Sequence, residues 1–254
     1  MSNRGYKVIG TRPLRHDVTD KVTGRAVYGA DFKIAGTLYG YVLRSPHAHA
    51  RILGIDVTRA AKMRGVKAVV TAEDLPRVPD RMIDYGEGPL WLPDVSANIL
   101  ARGKVLYKGH AVAAVAAASV HLAEEAARAI KVEYEVLPCV VDAESAMRPG
   151  APILHENLET LEMGRKTGRG TNVAEHFRMA LGDAEAAFAK ADIVVEREFR
   201  TATVHQGYIE PHSATALWNR GGRVHIWCPT QGAFVARDAT AAILGLPVSR
   251  IKVV

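Results

Sequence analysis

Along residues 105–136 the rhythm of apolar and polar positions changes twice. Positions 105–107 and 111–117 are short and almost continuously apolar, which predicts two strands. The spacing then shifts, so that Leu122, Ala126, Ala129 and Ile130 share one helical face. Ser119 stands where an N-cap is wanted. Glu124 and Glu125 lie in the first turn, and Arg128 and Lys131 lie near the last, an order that complements the helix dipole. From Lys131 to Val136 the alternation returns to period two. The pattern therefore predicts strand, helix, strand.

The flanking sequence reads less regularly. Residues 1–22 are polar and charged, with Arg12-Pro13, and predict an extended N-terminal arm. Positions 38–43 and 51–56 predict strands on either side of a Ser45-Pro46 break. Residues 58–63 predict a short helix stopped by Gly65, and 66–70 a buried strand. Gly86, Gly88, Pro89 and Pro93 predict a long irregular loop over 80–94. A loop of that length is commonly functional or partner-facing.

Residues 148–175 lose the pattern among Pro149, Gly150, Pro152, Gly164, Gly168 and Gly170, and read as a linker. Asp183 then offers a cap to a helix with Ala184, Ala187, Phe188 and Ala191 on one face. Residues 193–203 predict a long strand, and 214–218 with 223–228 a hairpin across Asn219-Arg220-Gly221-Gly222. A helix over 232–244 ends at Gly245 and Pro247, and 251–254 begin another strand. The expected division is an arm at 1–22, a domain at 23–147, a linker at 148–175 and a second unit at 176–254. About 80 residues after the linker make a marginal unit alone. It reads equally as a small α+β domain or as half of one completed by another chain.

Composition changes this picture little. The 254 residues are 48% apolar and 24% charged, ordinary for a globular protein. The formal charge of +6 is spread along the chain, with its densest run at Arg165-Lys166-Thr167-Gly168-Arg169. A nucleic-acid footprint is clustered and interleaved with aromatics, so no nucleic-acid partner is expected. A basic face toward an acidic protein fits as well. Cys139 and Cys228 are far apart and lie in no metal-binding spacing, which suits a reducing compartment. No apolar region marks the first fifteen residues as a secretory signal, and the longest apolar stretch, near 111–120, is too short to span a bilayer. The expectation is a cytoplasmic chain with no membrane partner.

Three polar groups are candidates for chemistry. His47 and His49 stand two apart and face the same way if extended, but a zinc site needs a third protein ligand and none is near in sequence. Loop hydrogen bonding suits them better. His205, Gln206, Glu210 and His212 crowd into one stretch; Glu210, before Pro211, is held out of helix. The favoured reading of Glu210 is a buried carboxylate that ties backbone amides together. Thr230-Gln231-Gly232 lies between a strand and a helix, where backbone amides and a side-chain amide suit an anion or an oxo ligand. A plain helix cap by Thr230 is the equal alternative.

Six ordered blocks resemble the large subunit of the molybdenum hydroxylases, the xanthine dehydrogenase/aldehyde oxidase/carbon monoxide dehydrogenase family. They are Asp20-Lys21-Val22-Thr23-Gly24-Arg25-Ala26-Val27-Tyr28-Gly29-Ala30-Asp31, Leu43-Arg44-Ser45-Pro46-His47-Ala48-His49-Ala50-Arg51-Ile52, Val105-Leu106-Tyr107-Lys108-Gly109-His110-Ala111-Val112-Ala113, Val132-Glu133-Tyr134-Glu135-Val136-Leu137-Pro138, Gly182-Asp183-Ala184-Glu185-Ala186-Ala187-Phe188, and Tyr208-Ile209-Glu210-Pro211-His212. The resemblance implies an α+β chain: an α/β hammerhead domain followed by an incomplete molybdenum-cofactor-binding domain. It implies that Gln231 and Gly232 belong to a molybdopterin site, with Glu210 and His205 in support and no protein side chain ligating the metal.

The same resemblance places the family's glycine-rich loop, substrate-positioning arginine and general-base glutamate beyond Val254, so no catalytic residue is expected within this chain. It implies an oxidoreductase that hydroxylates a carbon centre with oxygen from water, inactive as this piece alone. The implied partners are a complementary C-terminal large-subunit chain, an iron–sulfur small subunit carrying 2Fe-2S clusters, and an FAD medium subunit. The alternative is a non-catalytic subunit-interaction module. The resemblance places most of the residues that would choose the substrate beyond Val254.

Overall fold

The computed structural model describes residues 6–86 and 88–254. Residues 1–5 of the expected arm and residue 87 of the expected loop lie outside the described residues. The chain runs through α1 (Val18–Val22), β1 (Tyr39–Arg44), β2 (Ala50–Asp56), α2 (Thr58–Ala61), β3 (Val66–Thr71), β4 (Met82–Asp84), β5 (Pro89–Trp91), α3 (Leu92–Ile99), β6 (Lys104–Val105), β7 (Ala111–Ala117), α4 (Val120–Ala129) and β8 (Lys131–Val136). It continues through α5 (Ala143–Met147), β9 (Glu159–Glu162), β10 (Arg165–Gly170), β11 (Glu175–His176), α6 (Ala184–Lys190), β12 (Thr215–Trp218), β13 (Val224–Trp227), α7 (Ala233–Leu244) and β14 (Ile251–Val253). Two compact units result. Leu38–Gln206 form one; in the other, the segment up to Thr37 joins Gly207–Val254.

The larger unit is built around β7, which sits between antiparallel neighbours β1 and β3. A central strand covered on both faces has no reason to alternate, and this one reads Ala-Val-Ala-Ala-Val-Ala-Ala. Ala113, Val115 and Ala117 pack with Ala123, Ala126, Ala127 and Ile130 of and just after α4. Val112 joins Ala50, Ala101 and Val105 in a second core, flanked by Ile52 and Tyr134. The second sheet runs β6-β2-β8. Alanine on both sides lets the helix lie close to the sheet, so little room is left for substitution. Ser119 caps α4 by accepting the Leu122 N–H at 3.2 Å. Gly65 takes φ +94° before β3, and a Cβ there would lie 2.7 Å from Leu122 Cδ2.

His110 is the most deeply buried polar side chain among the described residues, 1% exposed. Its Nδ1 accepts the Leu106 N–H at 3.2 Å and its Nε2–H donates to the Ala97 carbonyl at 3.0 Å, which defines the neutral tautomer. Burial pushes its pKa down, and the bond to Ala97 only partly offsets that. Tyr107 stacks on the ring at 4.5 Å.

Several expectations are corrected. The stretch 80–94 is no irregular loop: β4 and β5 pair as a hairpin and α3 follows at once. Pro93 resembles a breaker in sequence, but it sits in the first turn of α3, where a missing N–H costs nothing. Residues 193–203 form no strand. A strand exists through its neighbours, and none of the described strands pairs with this segment. Ile193, Val195 and Phe199 are instead exposed. The expected helix at 184–191 forms as α6, capped by Asp183 on the Ala186 N–H at 2.9 Å, yet buries none of its residues. Asp142-capped α5 ends at Met147, just before the expected linker; within the linker β9 pairs with β10, and it also pairs with β11, which begins at Glu175. Among the described residues, no helix is long and apolar enough to cross a membrane.

Candidate functional site

The smaller unit positions the Pro229–Gly232 turn from three sides. The β12–β13 hairpin closes over Asn219 to Gly222, with Gly222 N–H donating to the Asn219 carbonyl at 3.0 Å. On its other side β13 pairs in parallel with β14. The pairing carries past the strand ends: Val254 N–H donates to the Ile226 carbonyl at 2.9 Å and Cys228 N–H to the Val254 carbonyl at 3.1 Å. The chain leaves the sheet at Pro229 and enters α7 after Gly232. Val224, Ala241 and Ile251 bury the joint between sheet and helix, and Gly245, at φ 64°, ends the helix.

Thr230 Oγ1 accepts the Gly232 N–H at 3.1 Å, which tightens the turn but leaves the first amides of α7 without a side-chain cap. The expected helix cap by Thr230 is thus displaced by two residues: Gly232 is the N-cap. Gln231, exposed, immediately precedes it. Uncapped amides at the positive end of a twelve-residue helix, beside a carboxamide that can donate, form a donor set suited to an anionic or oxo-bearing group. The residues present fit such a group.

The third side is the N-terminal segment. Tyr28 N–H donates to Asp31 Oδ2 at 3.2 Å, and Asp31 N–H to the Tyr28 carbonyl at 2.9 Å, closing a tight 3₁₀ turn over Gly29–Asp31. Gly29 N–H donates to Glu210 Oε1 at 3.2 Å. Phe32 stacks on Trp227 with ring centroids 4.5 Å apart and planes 22° from parallel. A cleft of about 270 Å³ lies here, lined by Tyr28, Phe32, Glu210, Trp227, Cys228 and Pro229 among others. Glu210 therefore does tie a backbone amide, but from the surface: it is exposed, not buried as expected. Of the other candidate residues, Gln231 and Gly232 share this unit with Glu210, while His205 falls within Leu38–Gln206, the other unit.

His47 and His49 go separate ways. His47 meets the Tyr134 ring edge-on at 5.0 Å, and His49 Nδ1–H donates to the Pro138 carbonyl at 2.6 Å. Among the described residues, no group of three or more His, Cys, Asp or Glu side chains could hold a metal ion. Gly29 and Phe32, which hold the N-terminal turn onto this unit, are not singled out by the sequence. The glycine in Tyr28-Gly29-Ala30-Asp31 was the available signal, but nothing local says what approaches it.

Residues 23–138 match the family described as "Aldehyde oxidase and xanthine dehydrogenase, a/b hammerhead domain", and residues 166–254 match "Molybdopterin cofactor-binding domain". The carbon monoxide dehydrogenase large chain of Afipia carboxidovorans is 36% identical over 260 aligned residues, covering 100% of this chain and 31% of that protein. The nicotinate dehydrogenase large molybdopterin subunit of Eubacterium barkeri is 30% identical, covering 99% of this chain and 54% of that protein. The crystal structure of quinoline 2-oxidoreductase from Pseudomonas putida 86 superposes with a TM-score of 0.80 at 31% identity, covering 96% of this chain and 30% of that one. The chain belongs to the molybdopterin-binding large subunits of the molybdenum hydroxylases. It spans between about a third and a half of the length of these curated relatives.

Proposed function

We propose that this chain supplies the hammerhead domain and one wall of the cofactor site of a molybdenum hydroxylase, an oxidoreductase that inserts oxygen from water at a carbon centre. The observation that carries the reading is the Thr230-Gln231-Gly232 turn at the uncapped start of α7. Gln231 and the first amides of α7 would hold the cofactor there. The molybdenum cofactor, when bound, supplies the two-electron redox chemistry. The chain's own part is to donate hydrogen bonds and to hold the turn rigid, with Glu210 fixing the N-terminal segment that leans on it. His205, in the other unit, is retained as a supporting residue on the resemblance alone.

The remaining active-site groups would come from a complementary C-terminal portion of the large subunit, on the same or another chain. Between 177 and 209, Phe177, Met179, Leu181, Ile193, Phe199 and Ile209 are each at least 66% exposed, more apolar surface than a stable monomer ordinarily leaves open. That supports a partner surface. An iron–sulfur small subunit with 2Fe-2S clusters and an FAD-bearing medium subunit complete the electron path in this reading, and the cytoplasm is its setting. We retain the division 1–22, 23–147, 148–175 and 176–254 as its domain plan.

The test is purification from the native source followed by a Gln231→Ala exchange. Loss of one preorganised donor is expected to lower kcat about 100-fold. A stable, monomeric, metal-free chain with no co-purifying partner would instead favour a non-catalytic interaction module.

A further inference from the structure

Gly29 is not in the left-handed region, so its backbone does not require glycine; its surroundings do. A Cβ at this position would fall 2.6 Å from Ser213 Oγ and 2.8 Å from Pro229 Cδ. The two neighbours differ in what they can give up. Ser213 Oγ is buried and has no hydrogen-bond partner among the described residues, so the hydroxyl can turn away without losing a bond. Pro229 Cδ belongs to a ring closed onto its own backbone nitrogen, so it moves only if the chain moves. Pro229 is also the residue at which the chain leaves β13 for Thr230 and Gln231.

The turn that carries Gly29 is held down on both sides. Its amide is bonded to Glu210, and three residues later Phe32 is stacked on Trp227, the last residue of β13. The close approach is therefore not a loose surface contact. It presses a rigid turn against the rigid residue that opens the cofactor loop.

We infer that Gly29 is a positioning residue for the Pro229–Gly232 loop: the N-terminal turn acts as a brace whose bare Cα sets where Pro229, and hence Gln231, can sit. This deepens the proposed cofactor site and rests on that reading for its purpose, though not for its physical content. A Cβ at position 29 must either lift the turn, breaking the Glu210 bond and the Phe32–Trp227 stack, or displace Pro229. Either outcome frees the loop.

The test is hydrogen exchange on the full 254-residue chain without cofactor. The Cys228 and Gly232 amides are both hydrogen-bonded, to Val254 and Thr230, and report on the loop. The Val254 amide and the interior of α7 serve as references within the same unit. Gly29→Ala is expected to speed exchange at Gly232 and Cys228 by about tenfold or more, with the references changed far less. In a Pro229→Ala background, where the clashing ring carbon is gone, the Gly29→Ala effect should largely vanish; that coupling distinguishes a brace from general packing. Phe32→Leu removes the ring stack without a clash and should loosen the same amides, so the proposal stays testable if Gly29→Ala does not fold.

Unchanged exchange at Gly232 and Cys228 in a folded Gly29→Ala chain overturns the proposal. So does an equal rise throughout the unit, or an effect undiminished by Pro229→Ala. Cofactor retention in a Gln231 variant is a separate measurement, so the brace and the cofactor reading can fail independently.

Discussion

Gly29 and Glu210 lie 181 positions apart in sequence, yet the Gly29 amide donates to the Glu210 carboxylate at 3.2 Å. This one bond draws the N-terminal segment to the extended stretch before β12. In this bond Glu210 is the acceptor. Glu210→Gln keeps an oxygen in place and should change thermal stability little. Glu210→Ala removes the acceptor at an exposed site and should cost about 1 kcal/mol. Chemical denaturation of both variants checks this; equal losses would contradict the acceptor role.

His110 makes the larger unit sensitive to mild acid. Burial lowers its pKa in the fold, so the unfolded chain takes up the proton first as the pH falls. The stability it contributes is fully present above the unfolded value of about 6.5 and is lost progressively as pH falls below it. The imidazolium would also carry a proton on Nδ1, facing the Leu106 N–H instead of accepting from it. Denaturation midpoints measured from pH 7.5 to 5 should fall for the parent chain and fall less for His110→Asn. A parent midpoint that is flat over this range contradicts the account.

Two glycines should respond in opposite ways to the same change. Gly65 has a positive φ and a neighbour 2.7 Å from any Cβ, so Gly65→Ala should destabilise by about 2 kcal/mol or more. Gly40, in β1, has neither constraint, and Gly40→Ala should be neutral or stabilise by up to about 1 kcal/mol. Paired melts on the two variants decide the matter. Similar losses at both sites would contradict the account, in which the positive φ and close approach at Gly65 set it apart.

The exposed apolar segment is the place to look for a partner. In the chain alone, limited proteolysis should cut first within 191–209, where no helix or strand holds the chain. In a complex with a complementary large-subunit portion, those sites should become resistant. Equal resistance in the chain alone would contradict a partner surface there.

The sequence made the local parts of this fold legible and its long-range joins illegible. The β7–α4–β8 unit could be read because each segment carries its own period, and Ser119 and Asp183 could be read because a cap acts within three residues. The β12–β13 hairpin and the Gly245 stop announced themselves in the same way. The α3 helix was missed because Pro93 looks like a breaker until the helix start is known to lie one residue earlier. The strand expected at 193–203 has the right residues but no described neighbour to pair with, and periodicity cannot supply one. Gln231 was legible as a turn residue at a helix start; the cofactor role proposed for it rests on resemblance. The Gly29–Pro229 approach was out of reach, because nothing in either stretch encodes the other.

The most direct test of the central claim is molybdenum content, measured by elemental analysis on the native complex after gel filtration, with molybdate supplied during growth. Near-stoichiometric molybdenum eluting with this chain and a complementary large-subunit portion is the predicted result. A folded chain eluting alone and without molybdenum under those conditions would contradict it.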